Sequence, residues 1–331
     1  MKKWQKRFLG GALAALMSVS CVAFSMTAFA AACPECDGQY NKLYGEPPAT
    51  TKENGAYLWE CDNCGYRDVS GTIYKIDSVG FAQKNYAYSG AQKKPAVIVK
   101  DSKGKVISAD NYEVTYGTNK VIGTGSATVV FDGCYYDDTV KATFKIIPAK
   151  MAAPTVHNAA KGFKITWKKA GGGVTGYEIW RKKGSGDFLK VATIKNADTT
   201  SYTNDTDAAN ANGVKYQYKI RAYKQGHSYG AFSPVTTSYK VARPAAPTVT
   251  NSGAGKITVT WKKNDKANGY IIKYVTGTTE KKAYASGAAT VSKTLTVNRK
   301  AKYTVSVQAY KTVNDKSYHS CFSPAKTITT T

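Results

Sequence analysis

The stretch "KITWKK" at residues 164–169 returns as "ITVTWKK" at residues 257–263, and this pair decides the fold class. In each copy apolar and polar residues alternate around a tryptophan, Trp167 in the first and Trp261 in the second. Side chains two residues apart in a β-strand point to the same face, so the alternation predicts a strand with one buried face. Because each tryptophan lies in mid-strand between polar neighbours, we predict that both are core residues rather than ligand-binding residues.

The tryptophan strand belongs to a longer internal repeat. The matching segments are "AAPTV" at 152–156 and 245–249, Gly-Tyr at 176–177 and 269–270, "YQYKIRAYK" at 216–224 against "YTVSVQAYK" at 303–311, and Phe-Ser-Pro at 232–234 and 322–324. Tyr216 and Tyr303 are 87 residues apart, whereas Trp167 and Trp261 are 94 residues apart, so the copies differ by loop insertions. Each copy is therefore predicted to be one small β-sandwich with its own core.

The order of these landmarks resembles tandem fibronectin type III domains. The landmarks are an opening proline, a strand tryptophan, Gly-Tyr before a "YEIWR"-type strand, a tyrosine-rich strand ending in Ala-Tyr, and a closing Ser-Pro. The resemblance covers residues 151–243 and 244–331, and it is to versions common on exported proteins of Gram-positive anaerobes. It implies that Tyr216 and Tyr303 are corner tyrosines, which tie a loop to the start of their strand.

Four cysteines near the start of the chain form two C-x-x-C pairs separated by 24 residues: Cys33, Cys36, Cys61 and Cys64. A C-x-x-C turn aims two sulfurs at one point, and two such turns on facing hairpins complete a closed tetrahedral site of four thiolates. Gly65 occupies the place where the second turn needs a permissive backbone. The pattern resembles a zinc ribbon over residues 31–70, and it predicts structural zinc as the cofactor.

Two alternatives to zinc stay open at these cysteines. Exported cysteines often form disulfides, and a rubredoxin-like site would hold iron instead. A disulfide within one C-x-x-C pair is strained, which favours a metal. A site closed by four cysteines has no position for a catalytic water, so the metal is predicted to replace a core that about 40 residues cannot build alone.

Residues 71–150 carry a third pattern of alternating strands. "YSGAQKKPAVIVKDSKGK" at 88–105 and "KATFKIIPAK" at 141–150 resemble the small immunoglobulin-like repeats that precede fibronectin type III units in similar surface proteins. Short proline-bearing linkers follow at 148–154 and 241–247. The predicted fold class is therefore all-β, with an N-terminal zinc ribbon followed by three β-sandwich modules in a linear array.

Residues 1–30 are predicted to be a signal peptide. A basic start is followed by an uncharged stretch and by Ala28-Phe29-Ala30, which provides a small-x-small cleavage site. An uncleaved anchor and lipidation at Cys21 are the alternatives. Cleavage after Ala30 removes four positive charges and no negative ones, which takes the net charge from +25 to +21. The mature protein is expected to be extracellular, either secreted or associated with the cell surface.

The strongly basic balance indicates which partners to expect. The charges are lysines scattered through alternating strands, without the arginine-rich stripe of a specific nucleic-acid binder. Lysine on a sheet edge also prevents edge-to-edge aggregation, so we expect a monomer. Anionic cell-wall polymers or glycans are the expected partners of an exported chain with this charge, and a protein partner is the alternative.

No combination of residues indicates catalysis. The side chains in question are the three histidines, the last two cysteines and an acidic pair: His157, His227, His319, Cys134, Cys321 and Asp137-Asp138. Both cysteines are expected to be free thiols, with pairing to another chain as the alternative. His319 is close to Cys321 in the sequence, but no orienting carboxylate is near, and adjacent aspartates on a strand face opposite sides.

The sequence therefore predicts a non-enzymatic secreted or cell-surface modular protein that acts as a spacer, adhesion or binding module at the bacterial envelope. The alternative is a carbohydrate-binding accessory protein of a cell-wall or glycan-degrading system. The 24 tyrosines and the aromatic-rich loops near 135–136 and 227–229 motivate this alternative. Exposed coplanar aromatic rings would favour it, whereas tyrosines buried in cores would favour the first function.

Overall fold

The computed structural model describes residues 32–136 and 139–331 of the chain. The predicted signal peptide, Cys21 and the Asp137-Asp138 pair lie outside these residues. Apart from two short 3-10 helices, every regular element of the described residues is a β-strand, so the all-β prediction is confirmed. No helix in this part of the chain has the length and hydropathy needed to cross a membrane. The described residues divide into two compact units, one of residues 32–86, 92–119, 124–136 and 139–145, the other of 87–91, 120–123 and 146–331.

The cysteine-bearing segment of the first unit is a small antiparallel sheet. Its strands pair in the order β1-β2-β3. They are β1 (Tyr40–Gly45), β2 (Gly55–Cys61) and β3 (Arg67–Ile73). Leu58 is buried in the central strand, and Ile73 packs with Ala49 and Cys134 in a small apolar cluster. This cluster has only three buried members, which is little for an independent core.

The next six strands form two sheets, paired as β4-β6 and β5-β9-β8-β7. They are β4 (Ile76–Phe81), β5 (Asn85–Ala87), β6 (Val97–Asp101), β7 (Tyr112–Tyr116), β8 (Gly123–Phe131) and β9 (Thr139–Ile147). A 3-10 helix at Ala109–Asn111 precedes β7. Alternate residues of β8 are buried, as a strand with one core face requires, and Val129 and Phe131 meet Ile76 and Val99 from the facing sheet.

The first repeat copy is a sandwich of three strands against five. Its strands are β10 (Thr155–Asn158), β11 (Phe163–Thr166), β12 (Gly176–Lys183), β13 (Leu189–Ile194), β14 (Ser201–Asn204), β15 (Lys215–Lys224), β16 (Ser228–Tyr229) and β17 (Thr236–Tyr239). One sheet has the order β10-β11-β14, and the other has the order β13-β12-β15-β16, with β17 also pairing with β15. A 3-10 helix at Asp207–Ala209 precedes β15.

The second copy repeats this topology. Its strands are β18 (Thr248–Gly253), β19 (Lys256–Thr260), β20 (Gly269–Thr276), β21 (Thr279–Ser286), β22 (Ser292–Thr296), β23 (Lys302–Val313), β24 (Lys316–His319) and β25 (Lys326–Thr329). The sheets are β18-β19-β22 and β21-β20-β23-β24, with β25 also pairing with β23. Both copies therefore have the two-sheet antiparallel sandwich that the resemblance implied.

Each copy has its own apolar core. Trp167 is 8% exposed and Trp261 is 6% exposed, and each lies in the core cluster of its own copy. Val241, which precedes the second "AAPTV" segment, belongs to the core cluster of the second copy and is 1% exposed. The linker thus supplies a core residue to the domain that follows it.

The two copies also contact each other within the second unit. The rings of Tyr239 and Tyr318 pack with their centroids 5.1 Å apart. The Arg243 Nε donates a hydrogen bond to the carbonyl oxygen of Phe322 at 2.6 Å. An aromatic contact and a hydrogen bond therefore join the two copies.

Candidate functional site

The four paired cysteines meet at one point. Their Sγ atoms all lie within 4.8 Å of one another, and all four thiols are free. Two contacts join the two turns, with Sγ–Sγ distances of 3.5 Å between Cys33 and Cys64 and 3.6 Å between Cys36 and Cys61. Sulfurs around a tetrahedral zinc ion are about 3.8 Å apart, given Zn–S bonds of about 2.3 Å, whereas a disulfide bond is about 2.05 Å long. The sulfur atoms therefore have the spacing of metal ligands.

Local backbone hydrogen bonds build both cysteine turns. The Cys33 N–H donates to the Gly38 carbonyl at 2.9 Å, and the Cys61 N–H donates to the Tyr66 carbonyl at 2.9 Å. Cys61 ends β2, so the second turn is the hairpin to β3. Gly65 in this turn has a φ of 71°, which is the left-handed conformation that favours glycine. The sequence analysis anticipated this permissive position.

Gly38 is a site residue that the sequence analysis missed. Its N–H donates to the Cys36 Sγ at 3.3 Å, and the Asn63 Nδ2 donates to the same sulfur at 3.6 Å. A Cβ atom at Gly38 would lie 2.8 Å from the Cys61 Sγ. The only signal in the sequence is a glycine two residues after the first C-x-x-C pair, the counterpart of Gly65 one residue after the second.

The four thiols influence one another's protonation. A hydrogen bond from the Cys64 backbone N–H is the largest cause that lowers the pKa of Cys61 to about 7. The Tyr66 N–H by itself would lower the pKa of Cys64, but the neighbouring thiols and burial outweigh it and raise that pKa to about 12. Burial raises the pKa of Cys33. The neighbouring thiols therefore disfavour a thiolate at Cys64.

The two remaining described cysteines differ in bonding state. Cys134 is buried and disulfide-bonded, so the expectation of a free thiol is wrong there, because sequence alone does not reveal which cysteines pair. Cys321 is free as predicted, and its Sγ donates to the Asn158 carbonyl at 3.2 Å. The His319 ring instead packs against Tyr310, with centroids 6.0 Å apart, and burial lowers its pKa. The two side chains thus have separate partners.

The predicted corner tyrosines bind backbone groups through their hydroxyls. The Tyr216 hydroxyl donates to the Ala208 carbonyl at 3.0 Å and accepts from the Ala211 N–H at 3.1 Å. The Tyr303 hydroxyl accepts from the Asn298 N–H at 3.0 Å. These contacts join the start of the strand to the preceding loop.

A second tyrosine anchor, which the sequence analysis did not assign, also occurs in both copies. The Tyr177 hydroxyl donates to the Ala197 carbonyl at 2.8 Å, and the Tyr270 hydroxyl donates to the Ala288 carbonyl at 3.1 Å. Each copy is therefore closed by two buried tyrosines, both of which satisfy their polar group with backbone.

One outer sheet surface of the first copy carries interleaved cations and aromatic rings. We call it the cation–aromatic face; it comprises Glu178, Trp180, Phe188, Lys190, Lys219, Arg221, Tyr229 and Phe232. The Arg221 Cζ lies 4.2 Å from the ring centroid of Tyr229 and 4.6 Å from that of Phe232. The Lys219 Nζ lies 4.1 Å from the Phe232 centroid and 4.3 Å from the Phe188 centroid. These are cation–π distances.

Glu178 is the only acidic residue of the cation–aromatic face, and it is 3% exposed. Its carboxylate lies 2.7 Å from Arg221 and 3.0 Å from Lys190. Burial alone would raise the pKa of Glu178, but hydrogen bonds from Arg221, Lys190 and Trp180 outweigh burial and hold this pKa below its usual value. The buried carboxylate is therefore charged and paired.

Comparisons with known proteins give limited similarity. No family model matches the chain. The chain is 29% identical over 182 residues to an amylopullulanase from Thermoanaerobacterium thermosulfurigenes. This match covers 48% of the chain and 9% of that protein. It therefore spans less than a tenth of that relative's length.

Two solved structures are similar at low scores. The chicken CNTN1 FN1–FN3 domains give a TM-score of 0.33 at 16% identity and cover 88% of this chain and 99% of that one. A two-domain fibronectin type III segment of chicken tenascin gives a TM-score of 0.26 at 18% identity and covers 56% and 99%. These values do not place the chain in a family.

Proposed function

We propose that this chain is a non-enzymatic secreted or cell-surface protein whose modules space and present a binding surface at the bacterial envelope. The observation that carries the proposal is the tandem pair of sandwiches, in which each copy has its own core and its own two tyrosine anchors. A scaffold completed in this way leaves its loops and outer sheet faces free for recognition. Secretion follows from the predicted signal peptide.

An accessory role in a glycan-degrading system is the second candidate function. The partial match to an amylopullulanase favours it, and the shared stretch is 9% of that protein. Most of the aromatic residues support the first candidate instead, and the exposed Tyr229 is the exception. Tyr177, Tyr216, Tyr218 and Tyr270 are fully buried, and the rings of Trp180 and Phe232 meet at 80°, so they do not form a coplanar sugar platform.

We further propose that Cys33, Cys36, Cys61 and Cys64 hold one structural zinc ion. The sulfur spacing and the free thiols support a metal over two disulfides. Zinc would supply a rigid tetrahedral crosslink where the ribbon has only a three-residue apolar cluster. With four protein ligands the site has no open position for a substrate, so its role is folding.

Native mass spectrometry of residues 31–331 under reducing conditions tests the metal. We expect one bound zinc, its loss in Cys61→Ser, and its retention in the matched control Cys321→Ser, because Cys321 lies outside the cluster. Bound iron, with the absorption of a ferric thiolate, would replace zinc as the cofactor. A metal-free chain with all four sulfurs oxidised would contradict any metal site.

Binding measurements at two salt concentrations test the envelope function. A net charge of +21 produces weak attraction to any polyanion, and salt screens this attraction at separations beyond about 8 Å at physiological strength. Binding to bacterial cell walls or glycans that persists at several-fold physiological salt would support a binding module. Complete loss would leave only a basic spacer. Expression of residues 1–331 in a bacterium should yield a mature protein that starts at Ala31 in the medium or on the cell surface.

A further inference from the structure

The cation–aromatic face of the first copy has only a partial counterpart in the second copy. Tyr177 of β12 corresponds to Tyr270 of β20, and Ala222 of β15 corresponds to Ala309 of β23. The residues of the face and their counterparts in the second copy follow from this register: Glu178 and Ile271, Trp180 and Lys273, Lys219 and Ser306, Arg221 and Gln308, Tyr229 and His319. The second copy thus lacks the buried acid, its arginine partner and a lysine at the Lys219 position, although its Lys273 Nζ lies 4.7 Å from the centroid of Phe322, the counterpart of Phe232.

The sandwich fold does not require this face. The second copy has the same sheets, the same core tryptophan position and the same tyrosine anchors without it. A buried ion pair on a sheet surface is weak support for stability, because desolvation offsets most of the attraction between the charges. The residues that differ between the copies at these positions are therefore candidates for recognition.

The face presents a positive charge beside an open aromatic ring. Three cations, Lys190, Lys219 and Arg221, stand against the single carboxylate of Glu178. Among the described residues no carboxylate forms an ion pair with Lys219, whereas Arg221 and Lys190 are both paired with Glu178. Tyr229 is 51% exposed although Arg221 covers part of its ring. The available groups are thus an ammonium that lacks a counter-ion and a half-exposed aromatic surface.

We propose that the cation–aromatic face binds a carboxylate-bearing glycan, with Lys219 pairing with a sugar carboxylate and Tyr229 packing against a sugar ring. This inference rests on the proposed function of the chain as a binding module. Phe232 connects the two groups. The Lys219 ammonium packs on its ring, and the Arg221 guanidinium packs on both this ring and the ring of Tyr229. A ligand must therefore combine acidic groups with apolar ring faces over the length of a few sugar residues. Uronic-acid polymers meet both requirements.

Other ligand chemistries use only part of this face. A neutral glycan would leave the Lys219 charge without a counter-ion, and a phosphate polymer without sugar rings would not use the Tyr229 surface. An acidic peptide would satisfy the lysine but has no regular succession of ring faces. Of the chemistries compared, the carboxylated glycan engages both groups.

The test measures binding of residues 31–331 to polygalacturonate at physiological and at several-fold physiological salt. We expect salt-resistant binding that Lys219→Ala weakens by roughly tenfold or more, the effect of losing a hydrogen bond to a charged group. Tyr229→Ala should weaken it by roughly fivefold. The matched control is Lys164→Ala, which removes the same charge from an exposed position on the other sheet and should change affinity by less than about twofold. Circular dichroism and the unfolding midpoint verify the fold of each variant, and Lys219→Gln replaces Lys219→Ala if the latter does not fold.

Each outcome decides between the two proposals. Equal losses from the Lys219 and Lys164 variants, with wild-type binding retained at high salt, would overturn the assigned face but keep the binding-module function. Absence of salt-resistant wild-type binding to cell walls and to every polymer would overturn that function itself. Tighter binding of residues 31–331 to poly-glutamate or to teichoic acid than to polygalacturonate would overturn the proposal of a carboxylated glycan. The ligand class would then be an acidic peptide or a phosphate polymer.

Discussion

Lys240 provides the sharpest test of the packing between the first copy and its linker. It follows β17 directly and is 1% exposed. Its Nζ donates to the carbonyl oxygens of Ala159 and Gly162, both at 3.0 Å, and lies 5.7 Å from the ring centroid of Phe163. Burial lowers the pKa of Lys240 to about 8, although the nearby Cys321 opposes the shift. Among residues 32–136 and 139–331, this cation contacts two neutral carbonyls and an aromatic ring and forms no ion pair with a carboxylate.

The shift makes stability depend on pH in a defined window. In the unfolded chain a lysine has a pKa of about 10.4, so between about pH 8 and pH 10.4 the unfolded chain binds more protons at this site than the folded chain does. The free energy of unfolding therefore rises with pH across that window, and the gain is lost as the pH falls through 8. With about 1.4 kcal/mol for each pKa unit, the contribution of this lysine changes by about 3 kcal/mol.

The Lys240→Met variant isolates this contribution. Urea unfolding of residues 31–331, followed by tryptophan fluorescence, gives the free energy of unfolding of wild type and variant at each pH. The difference, wild type minus variant, should rise by about 2 to 3 kcal/mol from pH 7.5 to 10.5. Subtraction removes the opposite effect of tyrosines such as Tyr318, whose pKa burial raises.

A matched control and a refuting result complete the experiment. Lys215→Met removes an exposed lysine from the same copy and should show a difference that is constant with pH. If the Lys240→Met difference is equally constant, the Lys240 ammonium keeps its ordinary pKa in the folded protein. That result would refute the burial of the ammonium against the Ala159 and Gly162 carbonyls.

Three further perturbations test the cores and the metal site. Trp261→Ala should lower the free energy of unfolding by roughly 3 to 5 kcal/mol in urea titrations, since it leaves a cavity in the second core; a loss below about 1 kcal/mol would mean that the indole is exposed. Val241→Ala should cost about 1 to 3 kcal/mol in the same assay, because the linker residue is buried in that core, and no loss would place Val241 outside it. Gly38→Ala should weaken zinc binding roughly 10- to 100-fold in chelator competition, because the added methyl group meets the Cys61 sulfur; unchanged affinity would show that the turn has room.

The sequence predicted those features whose signal is local. Alternation around Trp167 and the recurrence of the same landmarks indicated two sandwiches, because burial of one strand face leaves a period-two pattern. The C-x-x-C spacing indicated the cysteine cluster, because each turn fixes two sulfurs without help from distant residues. Both signals are read within a few residues of one another.

The missed features depend on residues that are distant in sequence. Glu178 meets Arg221 across 43 positions, on the outward-facing side of β12 and β15, where polar residues are the ordinary expectation. Nothing around Glu178 marks it as buried, since its burial comes from the long side chains that cross over it from neighbouring strands. The cation–aromatic face therefore required the strand register, which alternation alone does not give.

The high tyrosine content shows why composition pointed toward sugars without locating a site. Tyr177, Tyr216 and Tyr270 are buried, and they keep the hydroxyl because it binds loop backbone, which phenylalanine could not do. These tyrosines hold loops in place and are shared by both copies, so they carry no information about a ligand. Tyr229 differs in each respect: it is exposed, it packs on a cation, and the second copy has His319 in its place. Where two copies share one scaffold, recognition belongs to the exposed positions at which they differ.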